Sequence, residues 1–236
     1  MQDRDQRTIL LLGKENFDNI KHSSIAVIGL GGVGSYALEA LARCGVGHLT
    51  IVDPDQVDIS NVNRQLPALY STVGRYKTDV MQERLLDINP DLQIRSITKA
   101  YCLENSDDIL GAELNMVVDA IDSIPEKIHL IKQCLAKKIP IVSSMGAANR
   151  LDPAQFMVAD IKDTSVCPLA KKVRRELRSE GIHEGLTVVF SKEQPIQPKQ
   201  GSGAGLGSIS FVPPAAGLLL ASAAVNILIE KSADTV

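Results

Sequence analysis

Short apolar runs alternate with segments of helical periodicity along the first 150 residues of the chain. The apolar runs predict strands at residues 25–28, 49–52, 92–97, 114–119 and 139–143. Apolar positions at helical spacing predict helices at residues 33–44, 77–88 and 127–137. Strands and helices that alternate over short links are typical of a doubly wound, mostly parallel sheet. We therefore predict an α/β fold for this part of the chain.

The pattern changes from about Leu151. Beyond it, the sequence predicts antiparallel additions to the sheet at 156–159 and 186–190, a mobile loop at 195–207, a short strand at 209–212 and an apolar helix at 214–229. The 236 residues suffice for one large or two small domains and for a substantial core. We predict a single domain, 1–236, with halves at 1–150 and 151–236.

A glycine-rich turn follows the first predicted strand. Its glycines are Gly29, Gly31, Gly32 and Gly34. Such glycines allow a tight turn and a close approach to phosphate, and the N–H groups that begin the next helix bind anions. Asp53 ends the second strand, where an acid binds ribose hydroxyls. The pattern predicts a Rossmann-like nucleotide site. The alternative is a glycine turn that only packs the helix on the strand.

Polar residues cluster after the second and fourth predicted strands. The loop at 54–65 supplies candidate nucleotide ligands: Asp55, Asn61, Arg64 and Gln65. The fourth strand brings Asp119 and Asp122 to the same sheet edge, where open α/β sheets bind ligands. Lys77 begins the helix at 77–88, where a positive charge is unfavourable unless it faces an anion. These positions predict an anion site at the carboxyl edge of the sheet.

Composition adds a few constraints. Aromatic residues make up only 3% of the chain and Trp is absent, so the core must be aliphatic. The net charge of −3 gives no overall attraction to nucleic acid, which leaves only a local patch for such binding. The cysteines Cys44, Cys102, Cys134 and Cys167 lack zinc-ligand spacing, so we expect no zinc. The charged N-terminus and free thiols predict a reducing, cytoplasmic setting.

Several motifs together carry a family resemblance. The chain combines the glycine turn with D-x-D, N-x-x-R-Q, G-x-x-K and D-x-x-D in GLGGVG, DPD, NVNRQ, GRYK and DAID. This combination resembles the ubiquitin-activating (E1-like) superfamily, which includes the molybdopterin- and thiamine-pathway adenylating enzymes. The later stretches SSMGAANRLDP, TSVCPLAKKVRRELR and GSISFVPPAAGL resemble one branch of it, the tRNA threonylcarbamoyladenosine dehydratases. With them the resemblance spans nearly the whole chain.

The resemblance implies an activity. It is the ATP-dependent dehydration, or cyclisation, of N6-threonylcarbamoyladenosine in tRNA through an adenylated carboxylate. Residues 1–150 would form the nucleotide-binding half, and residues 151–236 the substrate-binding and dimerisation half. Negative charge builds on the phosphoryl oxygens during adenylation, so fixed cations must await it. A sulfur-transfer (cysteine desulfurase) protein is a further candidate partner.

The resemblance also implies roles for individual residues. The glycine turn would line the phosphates, and Asp53 would hold the ribose. Asn61, Arg64 and Lys77 would grip the triphosphate, with Asp55 and Gln65 beside them. Asp122 would hold Mg²⁺ near the α-phosphate, although it is also a candidate helix N-cap. Arg7 would act in trans at the neighbouring subunit's ATP site, which implies a homodimer.

In residues 151–236, Cys167 and a basic helix can each be interpreted in two ways. Cys167 precedes Pro168 in a polar context, which predicts a position near the surface or a site, and a covalent role is one option. The basic helix contains Lys171, Lys172, Arg174, Arg175 and Arg178. Such a run is usually a solvated face, but beside a site that acts on tRNA we expect phosphate contact.

The apolar stretch from Phe211 to Ile229 has 19 residues without charge, close to the length of a membrane span. Its Pro, Gly, Ser and Asn residues favour a buried helix or a dimer face instead, so we do not expect membrane association.

Three other functions compete with the dehydration of N6-threonylcarbamoyladenosine. They are adenylation of a sulfur-carrier or ubiquitin-like protein C-terminus, NAD-dependent dehydrogenation, and non-catalytic tRNA binding. The adenylation motif set disfavours the last two.

Overall fold

The computed structural model describes residues 4–111, 113–197 and 206–233. Of residues 231–233, it describes only the backbone. The helices are α1 Gln6–Leu12, α2 Lys14–Lys21, α3 Gly34–Arg43, α4 Lys77–Ile88, α5 Ser106–Ile109, α6 Ile124–Ala136, α7 Pro168–Ser179 and α8 Val212–Ala233. The strands are β1 Ser24–Ile28, β2 His48–Val52, β3 Gln93–Ile97, β4 Met116–Asp119, β5 Ile141–Ser144, β6 Phe156–Asp160 and β7 Thr187–Ser191.

These strands form one sheet in the order β3-β2-β1-β4-β5-β7-β6. β1 pairs in parallel with both β2 and β4, and β5 and β7 extend the parallel part. Only β6 runs antiparallel, against β7. The Rossmann-like, mostly parallel sheet is therefore confirmed. Its chain order reverses beside β1, so the ligand crevice of such a sheet lies at the carboxyl ends of β1 and β4.

The two faces of the sheet carry separate apolar cores. Alternate residues of β1 point to opposite faces, so Ile25 and Val27 join one core while Ala26 and Ile28 join the other. The first core is closed mainly by α2, α3, α4 and α8. The second is closed by α5, α6 and α7. This two-sided cover explains why the strands read as continuous apolar runs in the sequence.

The apolar helix α8 packs on the first core. A Cβ on Gly217 would lie 2.3 Å from the carbonyl oxygen of Val33, so the two helices α8 and α3 approach backbone to backbone. Among the described helices, α8 is the one long and apolar enough to cross a membrane by length and composition. More than half of that stretch is buried inside the protein, as a core helix would be.

Some local predictions were wrong. Residues 209–212 form no strand, because α8 begins at Val212 and its Pro213 and Pro214 fit the first turn of a helix. α6 begins at Ile124, three residues before the predicted start, with Pro125 in its first turn. Residues 198–205 of the predicted loop 195–207 lie outside the described residues.

Candidate functional site

Packing explains two of the glycines in the turn after β1. Gly29 has a φ of +91°, and a Cβ there would lie 2.7 Å from the Ala120 carbonyl oxygen. A Cβ on Gly34 would lie 1.8 Å from the Gly29 carbonyl oxygen. Gly31 differs, since the nearest atom to its Cβ would be Gln65 Nε2 at 3.9 Å. The fold itself therefore does not require a glycine at position 31.

Asp53 fixes the start of this turn from the end of β2. Its Oδ2 accepts the Leu30 N–H at 2.6 Å, and its Oδ1 accepts the Asp55 N–H at 2.9 Å. Burial raises the pKa of the Asp53 carboxyl, and the nearby Lys77 ammonium and these two N–H groups act against that rise. Asp53 thus ties the glycine turn to the polar loop at 54–65.

Lys77 is a buried cation beside the glycine turn. Its side chain is only 5% exposed, and its Nζ lies 2.7 Å from Asp55 Oδ2 and 3.9 Å from Asp53 Oδ1. The Lys77 backbone N–H also donates to the Asp55 carbonyl at 3.0 Å. The sequence predicted an anion next to Lys77, and in the structure carboxylates stand there. The Asp55 side chain is 61% exposed, so an incoming anion can replace it at little cost.

Arg64 lies against the turn from the other side. A Cβ on Gly32 would come 3.3 Å from Arg64 Cγ, so the arginine stem passes over this glycine. The guanidinium donates from Nη1 to the Ser60 carbonyl at 3.0 Å and to Asn63 Oδ1 at 2.8 Å. These acceptors are neutral, which leaves the positive charge of Arg64 available to a phosphate.

Two polar side chains near Arg64 in the sequence, those of Asn61 and Gln65, differ in whether they have hydrogen-bond partners. Asn61 accepts the Asp58 N–H at 3.2 Å and closes a short 3₁₀ turn. The Gln65 side chain is buried, and its Oε1 has no hydrogen-bond partner among the described residues. A buried polar atom without a partner is costly, so Gln65 fits a position that a bound ligand completes. Its Nε2 lies 3.9 Å from where a Cβ on Gly31 would stand, so the Gln65 side chain borders the glycine turn.

The two aspartates after β4 have different environments. Asp119 is fully buried and is bonded by Lys127, Ser143 and the Ile121 N–H. Asp122 is exposed, three residues further on. The helix N-cap alternative for Asp122 was wrong, because the N-cap of α6 is Ser123, whose hydroxyl bonds Glu126. Asp122 therefore offers a free carboxylate at the sheet edge.

The donor set suits magnesium better than a protein-only metal cage. Within the described residues, no three His, Cys, Asp or Glu side chains come together as a metal site. Mg²⁺ commonly takes one or two protein carboxylates and completes its shell with water and substrate phosphates. The exposed carboxylate of Asp122, at the carboxyl edge of the sheet, fits that mode of binding.

Cys167 is buried, so of the two positions predicted for it, near the surface or near a site, the surface one was wrong. It is the N-cap residue of α7, and a Cβ on Gly146 would lie 3.4 Å from its Sγ. Gly146 belongs to the loop that follows β5, at the carboxyl edge of the sheet. Cys167 therefore packs beneath that loop, next to the candidate site.

The basic helix α7 does not present all its cations alike. Arg174 is half-buried and donates to the backbone carbonyl and the hydroxyl of Thr164, which anchors the preceding loop. Arg175 bonds Glu176 on the surface. The exposed cations are Lys171, Lys172, Arg175 and Arg178. Arg174 thus has a structural role that the sequence pattern did not reveal.

A groove of about 530 Å³ lies at the opposite, amino edge of the sheet. Its lining includes His48, Arg95 and Glu113. Arg95 is already paired with the carboxylate and the backbone carbonyl of Asp108. The lining of this groove does not include the glycine turn or Lys77, which make the carboxyl edge the candidate anion site.

The structure also shows contacts that the sequence analysis missed. Lys127 is fully buried on Asp119, and it shares the inward stripe of α6 with Leu130, Ile131 and Cys134. A lysine at helical spacing within an apolar stripe was the available signal. Asn149, with a φ of +57°, accepts the Gly207 N–H through its side chain and the Ile196 N–H through its carbonyl.

Comparison with known proteins adds the family. The sequence profile of the ThiF family matches residues 4–236. The chain belongs to the ThiF family. Within it, the chain is 45% identical to a tRNA threonylcarbamoyladenosine dehydratase of Bacillus subtilis, over 95% of this chain and 94% of that protein. It is 36% identical to a molybdopterin-synthase adenylyltransferase of Escherichia coli, over 70% of this chain and 65% of that protein.

Solved structures of this family agree with the fold. The crystal structure of E. coli tRNA N6-threonylcarbamoyladenosine dehydratase, TcdA, in complex with ATP matches with a TM-score of 0.91. The identity is 36%, and the match covers 98% of this chain and 96% of that one. The family therefore includes a nucleotide-bound structure that matches nearly all of this chain.

Proposed function

We propose that this protein is a tRNA threonylcarbamoyladenosine dehydratase that uses ATP to cyclise N6-threonylcarbamoyladenosine in tRNA. The near full-length similarity to the B. subtilis and E. coli dehydratases supports the substrate. The observation that carries the chemistry is the cation pair around the glycine turn. Lys77 is held on Asp53 and Asp55, and Arg64 crosses Gly32. An NAD-dependent dehydrogenase has no need of that pair.

The nucleotide would bind along the carboxyl edge of the sheet. The N–H groups that begin α3 would face the phosphates. Asp53 would lie next to the ribose, and Asn61 and Gln65 would line the phosphates beside Arg64. When ATP binds, Lys77 would exchange its contact with the exposed Asp55 for a phosphate oxygen. Mg²⁺ held through Asp122 would neutralise charge at the α-phosphate.

The reaction would then take two steps. The threonyl carboxylate attacks the α-phosphorus, a P–O bond forms, and pyrophosphate leaves. Arg64 and Lys77 stabilise the charge that builds on the phosphoryl oxygens, because they are positioned before the reaction begins. An atom of the carbamoyl-threonine unit next attacks the activated carbonyl carbon and gives up its proton to solvent, and AMP leaves with one carboxylate oxygen. The nucleoside therefore loses one water, and no protein nucleophile is needed. Cys167 would then pack beneath the site without a covalent role.

Arg7 supports a homodimer with shared sites. Arg7 is exposed on α1. On the same short helix, about four-fifths of the surface of Leu10 and of Leu11 is exposed to solvent. Two adjacent exposed leucines mark a surface suited to a protein partner. A second copy of this chain would cover them and bring Arg7 towards the neighbouring ATP. A cytoplasmic setting is consistent with the free cysteines.

The tRNA would contact the exposed side of α7. Lys171, Lys172, Arg175 and Arg178 provide cations for phosphates, whereas Arg174 is committed to Thr164. Cys167 and the loop after β5 lie at the start of this helix, so α7 leads away from the candidate site. Phosphate contacts along it would hold the tRNA while the modified nucleoside enters.

A single assay tests this function. The protein is incubated with ATP, Mg²⁺ and tRNA that bears linear N6-threonylcarbamoyladenosine. The tRNA is then digested, and the masses of the nucleosides are measured by mass spectrometry. We expect a product lighter by one water that requires ATP, and loss of it in Arg64→Ala. Lys132→Met, on an exposed ion pair far from the glycine turn in sequence, is the control for folding. Adenylation of an added carrier-protein C-terminus, with no change in the nucleoside, would support the molybdopterin-type activity instead.

A further inference from the structure

A buried ion pair lies directly behind the candidate site. Lys127, Asp119 and Ser143 are all fully buried. The Lys127 ammonium lies 2.6 Å from Asp119 Oδ2, and the Ser143 hydroxyl donates to the same oxygen at 2.6 Å. Burying a charge pair costs desolvation energy, and apolar residues of similar volume are often as stable. The mechanism proposed above uses neither charge directly.

The position of the cluster connects it to the site. Asp119 is the last residue of β4 and is paired in register with Ser143 on β5. Lys127 comes from the second turn of α6. The three residues therefore join two strands and a helix at the carboxyl edge, where the ligand crevice lies.

The second oxygen of Asp119 acts on the turn between β4 and α6. Asp119 Oδ1 accepts the Ile121 N–H at 3.0 Å. The preceding residue, Ala120, donates its N–H to the Ile28 carbonyl at 2.9 Å. Its own carbonyl lies so close to Gly29 that only a glycine fits there. The turn 120–122 is thus fixed to the glycine turn on one side and to Asp119 on the other.

This turn carries Asp122, and no side-chain cap on α6 fixes its direction. We propose that Lys127 is a positioning residue, which holds Asp119 so that the turn 120–122 presents Asp122 to the nucleotide. Without the ammonium, the Asp119 carboxylate lacks its buried counter-ion at Oδ2, so its side chain rotates and its bond to the Ile121 N–H weakens. The proposal rests on the function proposed above, since it requires Asp122 to act with ATP-bound Mg²⁺.

The test replaces Lys127 with Met, which keeps the length of the side chain and removes its charge. In the free protein, we expect amide hydrogen exchange at 120–122 to accelerate at least about 10-fold. The Mg²⁺ concentration for half-maximal activity should rise about 10- to 100-fold, the cost typical of losing an outer partner of a metal ligand. ATP affinity without Mg²⁺ should stay within about threefold. Lys132→Met on the same helix is the matched control.

Loss of one member of a buried pair is strongly destabilising, so Ser143→Ala serves as a milder second variant. It removes only the hydroxyl on Asp119 and should shift both readouts in the same direction by a smaller factor. Unchanged exchange at 120–122 and an unchanged Mg²⁺ midpoint in a folded variant would overturn the proposal. Full activity of Asp122→Asn would overturn it as well, whereas an inactive wild-type protein would refute the proposed function instead.

Discussion

The variant Gly31→Ala distinguishes the two explanations of the glycine turn, which are close approach to a nucleotide phosphate and packing of α3 on β1. A Cβ at this position meets only Gln65 Nε2, at 3.9 Å, and Gly31 does not have a positive φ that would strain an alanine. Replacing glycine by alanine at a compatible position usually stabilises a protein by about 0.4–1 kcal/mol, because the unfolded chain loses freedom. We therefore expect Gly31→Ala to fold with an unchanged or slightly higher melting temperature.

Nucleotide binding should respond in the opposite direction. A methyl group at Gly31 would stand where the phosphate must approach the backbone N–H groups. Losing one hydrogen bond to a charged group costs about 1.5–3 kcal/mol. This predicts a Kd for ATP that is about 10- to 150-fold higher. Isothermal calorimetry with ATP, together with thermal unfolding, measures both effects on the same sample.

Two other glycines provide the comparison. Gly34→Ala should not fold normally, because its Cβ would lie 1.8 Å from the Gly29 carbonyl oxygen. A Cβ on Gly111 would have no atom within 4 Å, so Gly111→Ala should likewise fold with an unchanged or slightly higher melting temperature, and it should leave ATP affinity unchanged. If Gly31→Ala binds ATP as tightly as the wild type, no phosphate approaches this residue. The turn would then serve only to pack α3 on β1.

Three further predictions concern the dimer, the tRNA face and a thiol. Mixing Arg7→Ala with Arg64→Ala chains should restore part of the activity, since some mixed dimers regain one intact site; inactive mixtures with confirmed dimers would exclude sharing. The Arg175→Ala/Arg178→Ala pair should weaken tRNA binding and lower its salt slope by about two, with ATP affinity unchanged. Arg174→Ala should instead lower the melting temperature, because it frees Thr164. Burial, reinforced by the Asp119 charge, raises the pKa of the Cys134 thiol to about 12. The Cys134 thiol of the native protein should therefore not react with iodoacetamide at pH 8.5, which peptide mass spectrometry can check.

The parallel part of the sheet was predictable from the sequence because most of its strands are short, continuous apolar runs bounded by turn and helix signals. Helix α4 begins at Lys77 and ends at Ile88, as predicted, since its apolar stripe and Pro90 set both ends. The run at 209–212 misled because apolar residues before a proline pair suit a strand or a helix start equally well. Packing of α8 on α3, through Gly217, decides between them, and that contact is distant in sequence.

The site was predictable where backbone position decides and less so where side chains compete for partners. The glycines, Asp53 and Lys77 lie at strand and helix ends, and the fold alone brings them together. Arg174 shows the limit, because helical spacing places it beside Arg175 and Arg178, and only the loop at Thr164 withdraws it from the surface. The surface position predicted as one alternative for Cys167 was wrong, and the inward stripe that Ala170, Val173 and Leu177 continue from it was a signal against that position.

The charges at the glycine turn explain how one arrangement serves the free protein and the nucleotide complex. Before ATP binds, Lys77 is balanced by Asp53 and by the exposed Asp55. Its ammonium is therefore already in place, so binding need not restrict a flexible lysine side chain, which can hold about 2 kcal/mol of rotamer entropy. In the proposed site, a triphosphate would have to displace only the solvent-facing Asp55, whereas the buried Asp53 would stay bonded to the Leu30 and Asp55 backbone N–H groups. On this proposal, the exposed Asp55 carboxylate would act as a replaceable counter-ion of Lys77, and the buried Asp53 carboxylate would hold the glycine turn in place before and after binding.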